Sequence, residues 1–69
     1  MYIFWLLDED VPDNVKLAHS QRRELERSII RWYKENYRSS DIVEFCEDGA
    51  VTYPHSDSVL GWITEIDNV

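Results

Sequence analysis

The stretch VKLAHSQRRELERSIIRWYKENYR, residues 15–38, decides how the rest of the chain must fold. No Gly or Pro interrupts it, and Ala18, Leu25, Ile29, Trp32, Tyr33 and Tyr37 recur at the spacing of one helical face. At roughly 100° per residue, those side chains form one arc. Lys16, Arg23, Arg27, Arg31, Lys34 and Arg38 gather on the opposite side. The spacing predicts one long amphipathic helix from about Val15 to Arg38 with a basic outer stripe. Arg22 falls toward the apolar arc, so its head must snorkel outward or meet a carboxylate. Upstream, Pro12 suits a first helical turn, and Asp10, Asp13 or Asn14 offers a capping oxygen.

Before that loop, Met1 to Leu7 is apolar at every position and rich in aromatics, the pattern of a strand covered on both faces. A single helix covers only one face of a sheet. Either the Tyr2/Phe4/Leu6 set or the Ile3/Trp5/Leu7 set therefore needs another cover, from loops or from a partner.

After the helix, Ser39-Ser40 close it and Asp41 to Cys46 alternates as a strand. Asp48-Gly49 marks a hairpin with two possible registers, and slipping by one residue swaps faces. A two-residue loop would mix polar and apolar side chains on each face. A three-residue Glu47-Asp48-Gly49 loop, with Gly49 left-handed in a G1 bulge, puts Val43, Phe45, Val51 and Tyr53 on one face. It leaves Glu44, Cys46, Ala50 and Thr52 on the other, and this register is preferred. Pro54 to Ser58 is turn chemistry. Val59 to Ile66 is β-branched and alternating, hence a strand; a short helix capped by Ser58, with Val59, Trp62, Ile63 and Ile66 on one side, is the alternative. The fold class expected is α+β in the order β-α-β-β-β, the helix lying on one face of a mainly antiparallel sheet.

With 69 residues there is room for one domain, 1–69. A hydrophobic share of 43% with 13% aromatics is enough to build a core. Cys46 is the only cysteine, so no internal disulfide forms and a reducing compartment fits. Met1 to Leu7 lacks the positive flank and cleavage site of a signal peptide. No apolar run reaches the ~18 residues of a membrane span. A soluble, cytoplasmic protein without membrane association is expected.

Catalytic signatures are absent. His19, Cys46 and His55-Ser56-Asp57 are scattered, which does not suit a metal. Gly49 and Gly61 are the only glycines, too few for a phosphate-binding loop. A Cys46/His55/Asp57 nucleophilic arrangement would make a small enzyme using Cys46 and His55, but a lone cysteine is more often a packed side chain. Catalytic residues, metal ligands and cofactors are accordingly assigned as none.

Charge is the informative property. All seven Lys and Arg lie between Lys16 and Arg38 against three acids, Glu24, Glu26 and Glu35, and the other eleven acids have no base among them. The chain totals −7. The basic stripe reads first as a solvated face with i,i+3 and i,i+4 pairs, second as a dock for an anion or an acidic protein. Direct nucleic-acid binding is disfavoured because a net charge of −7 repels a polyanion at long range. The acids read as solubilising, or as a surface complementary to a basic groove: Asp8, Glu9, Asp10, Asp13, Glu44, Glu47, Asp48 and Asp57. Trp5, Tyr53 and Trp62 would anchor such an interface. The expectation is a non-catalytic binding protein, an inhibitor or adaptor, that engages a basic and nucleic-acid-handling protein, in part as a nucleic-acid mimic. The alternative is a homo-oligomer joined through the sheet face or through the basic helix of one copy against the acidic sheet of another.

Overall fold

A computed structural model describes residues 1–7 and 15–66. The apolar opening segment forms β1, Tyr2–Leu6, and an all-apolar strand belongs inside a sheet with a neighbour on each side. One neighbour is β2, Val15–His19; the other is the last strand, β5, Val59–Glu65. Both pairings are antiparallel, and Phe4 stands between Leu17 and Ile63. β3, Glu44–Phe45, and β4, Ala50–Thr52, complete the sheet in the order β2-β1-β5-β4-β3. The helix α1, Arg22–Tyr37, packs on one face, so the molecule is α+β as expected.

One expectation is corrected. Residues 15–19 are a strand, the order is β-β-α-β-β-β, and the helix is shorter than 15–38. Val15, Leu17 and His19 also alternate, and five residues fit either period. β1 settles the choice, because its second edge needs a ladder of backbone partners. Ser20 and Gln21 then break the chain: Gln21 is extended (φ −122°, ψ 135°), makes no side-chain cap, and accepts from the Leu25 N–H at 3.1 Å. Gln21 thus stands at the cap position of α1, and Asp10, Asp13 and Asn14, the caps expected from the sequence, lie outside the described residues. Lys16 and Ala18 move with β2, so neither belongs to the helix arcs assigned to them.

The hairpin register is the one the side-chain pattern selects. Glu44 pairs with Thr52 and Phe45 with Val51, and the Cys46 N–H donates to the Ala50 carbonyl at 2.9 Å across the Glu47-Asp48-Gly49 loop. Gly49 has φ +100°, and a Cβ there would collide with the Ile63 carbonyl. The strand is shorter than the expected Asp41–Cys46, and residues 59–65 are strand rather than helix.

On the helix side, Phe4, Leu25, Ile29 and Val51 are fully buried, joined by Tyr33, Val43, Leu60 and Ile63. Each such burial stabilises by about 1.5–3 kcal/mol. Strict alternation would turn Leu60 away with Trp62, but the register shifts between Val51 and Thr52 and Leu60 joins the core. At the far end of α1, Arg38 is left-handed (φ 51°, ψ 42°) and stops the helix.

Candidate interaction surfaces

Because Phe4 and Ile63 face α1, the residues one step along β1 and β5 face away from it. Trp5 pairs directly with Trp62, and Trp62 with Ala50. Cys46, opposite Ala50, ends the same row and is exposed. Neither indole is fully buried, and Trp5 Nε1 donates to Thr64 Oγ1 at 2.9 Å, which fixes its ring against the strand beside it. Ile3, Ala18 and Thr64 lie in the adjoining row. Of these side chains and those of Thr52 and Glu44, only Glu44 is charged, in a chain that is 30% charged. Of the two β1 sets, Tyr2/Phe4/Leu6 is under the helix and Ile3/Trp5 remains open to the other side.

The acids stand at the margins. Glu47 and Asp48 occupy the β3–β4 turn and are exposed; Asp57 is exposed in the β4–β5 connection. Asp48 also has a local duty, since its Oδ1 accepts from the Ala50 N–H at 3.0 Å. Asp8, Glu9, Asp10 and Asp13 lie outside the described residues. Tyr53 is separated from the two tryptophans: it meets Tyr33 and Tyr37 edge-on, ring centres 6.3 and 6.2 Å away, on the helix side. Tyr33 and Tyr37 stack at 4.4 Å. Cys46 and the His55–Asp57 turn sit at opposite ends of β4, which does not bring those three together.

Arg22 behaves as its position in the pattern requires. Its Nε meets Glu26 Oε2 at 3.1 Å and its Nη2 donates to the Cys46 carbonyl at 3.0 Å, tying the start of α1 to the hairpin. Beside it lies a cleft of about 290 Å³, lined by Tyr2, Arg22, Glu47, Asp48, Gly49, Ile63 and Glu65. The Tyr2 hydroxyl bonds to Glu65, and that bond together with the negative charge holds the phenol above its ordinary pKa.

Along α1, Arg23, Arg27, Arg31, Lys34 and Arg38 are all exposed. Arg27 approaches Glu24 at 3.6 Å, a solvent-screened pair. Among the described residues, Arg23, Arg31, Lys34 and Arg38 make no ion pair. Lys16 is on β2 instead. No described helix is long and apolar enough to cross a membrane.

The chain matches no protein-family model, no curated protein and no solved structure. Its surfaces are therefore read from their own chemistry. Two features escaped the sequence reading, the edge strand β2 and the Ser28–His19 contact, in which Oγ and Nε2 lie 2.9 Å apart. The Val15/Leu17/His19 alternation was the available signal for both.

Proposed function

We propose that this chain is a small non-catalytic binding protein, an inhibitor or adaptor, whose acidic surface engages a basic and nucleic-acid-handling protein. The supporting observation is the Trp5–Trp62 pair on a sheet face where, among the described side chains, Ile3, Ala18, Ala50, Thr52 and Thr64 are uncharged, with Glu44 beside them and Glu47 and Asp48 at the neighbouring turn. Interfaces of this kind have an aromatic, charge-poor centre and a polar rim. The carboxylates steer a cationic partner inward, and the indoles supply the area that water leaves. If the carboxylates imitate phosphates, free duplex DNA competes for the same partner.

The test is affinity capture from the native host's lysate using wild type, a Glu44→Ser/Glu47→Ser/Asp48→Ser triple variant and Trp62→Ala. Basic proteins that the wild type retains should be lost from both variants and displaced by added duplex DNA. An unchanged captured set rejects the reading.

The same neutral face favours a second reading, pairing of two copies across it. Size-exclusion with light scattering at low and high salt separates the two. A dimer that persists in high salt and dissociates with Trp62→Ala supports self-association, and a monomer at both salts supports an external partner.

A further inference from the structure

β2 ends the sheet, and among the described residues its outer edge meets no strand. An edge of this kind carries a row of backbone N–H and C=O groups that an incoming chain can complete. α1 runs beside it. The His19–Ser28 contact at 2.9 Å links the two elements, and a cleft of about 210 Å³ opens between them, lined by Leu17, Ser28, Arg31, Trp32 and Glu35. An edge strand next to a helix, with a partly apolar cleft between, is the arrangement by which an extended peptide adds to a sheet and inserts alternate side chains.

Charge selects the occupant. β2 contains no acid although the chain totals −7. Arg31 lines the cleft, is exposed, and makes no ion pair among the described residues. Arg27, one turn earlier on the same helix, approaches Glu24 at 3.6 Å, and Glu35 is the single carboxylate in the lining. We propose that this groove binds an extended acidic polypeptide as a sixth strand. An aliphatic side chain enters between Leu17 and Trp32, and a neighbouring carboxylate pairs with Arg31. This site goes beyond the basic-partner reading and does not depend on it: the acidic ligand docks at the sheet edge, away from the Trp5–Trp62 face. A nucleic acid would also be attracted to the arginines, but its backbone has no alternating donors and acceptors to complete a β-ladder.

The probe is a short fluorescein-labelled peptide alternating glutamate with leucine and valine, titrated with the full chain by fluorescence anisotropy. Saturable binding is expected. The same peptide N-methylated on every second backbone nitrogen is made in both phases, and the phase that removes ladder donors should bind about tenfold more weakly. Arg31→Glu should weaken the glutamate peptide and strengthen one with lysine in place of glutamate. The proposal is overturned if the glutamate peptide does not saturate, if neither N-methylated phase loses affinity, or if Arg31→Glu has no effect. It is overturned equally if a labelled single-stranded oligonucleotide binds more tightly than the peptide.

Discussion

On the helix side of the sheet, Phe4, Val51 and Ile63 share one core with Leu25 and Ile29; one step along the same strands, Trp5, Ala50 and Trp62 face no helix among the described residues. Both sides are apolar. The difference is in side-chain size and in what satisfies the polar atoms. The fully buried side chains of the covered side are Phe4, Leu25, Ile29 and Val51, which have no polar atom to satisfy. The open side uses indoles, one of which gives its N–H to a surface threonine. Large amphipathic rings tolerate a boundary with water and still offer apolar area to a partner. Apolar content alone therefore does not identify a core.

The largest expected effect tests that division directly. Phe4→Ala removes a fully buried ring and should cost about 3–5 kcal/mol, enough to abolish cooperative urea unfolding in a domain of this size. Trp62→Ala on the open side should cost only about 1–2 kcal/mol and keep the transition intact. Equal losses would mean that both faces are core. Next comes the turn that sets which side chains face which way. Gly49→Ala forces a Cβ into a left-handed position against the Ile63 carbonyl and should lower stability by about 1–3 kcal/mol, read from the urea midpoint; an unchanged midpoint would reject the bulged hairpin.

A smaller effect is expected at the helix end. Arg38→Gly relieves about 1–2 kcal/mol of left-handed backbone cost and forfeits about 0.5–1 kcal/mol of chain entropy. A slight net rise in melting temperature should result; a fall would place the weight on the arginine side chain. The smallest effect concerns Tyr2. Its folded pKa is raised, so the stability it contributes is complete below the ordinary phenol value and disappears as pH climbs through the folded value. Tyr2→Phe should remove that component of the alkaline loss seen in wild-type urea midpoints, and identical pH profiles would refute the Tyr2–Glu65 bond.

Much of the architecture could be read from residues alone, wherever one physical demand dominated. The Glu47-Asp48-Gly49 register followed because only it separates Val43, Phe45 and Val51 from Glu44 and Cys46. Arg22 was legible as a cation on the apolar side of its helix, and it is satisfied by Glu26 and the Cys46 carbonyl. Residues 15–19 were not legible. Five residues are too few to separate a period of 3.6 from one of 2, and what decides them is a vacancy beside β1, some ten positions away in sequence. The proposed docking face is partly visible in the sequence: Trp5 and Trp62 stand out as aromatics, but their adjacency comes from the β1–β5 register. Tyr53 was grouped with them by composition and is parted from them by the alternation of β4.

The β1–β5 pairing also shapes how the chain reaches this state. The first strand and the last lie side by side at the middle of the sheet, with Tyr2 opposite Glu65. The β1–β2 and β3–β4 hairpins can each zip locally, but the seam uniting them closes only once residues 59–65 are available. During synthesis the aromatic β1 must wait, half-paired and sticky, for β5 to leave the ribosome, and in that interval it is most exposed to chaperones or to misassembly.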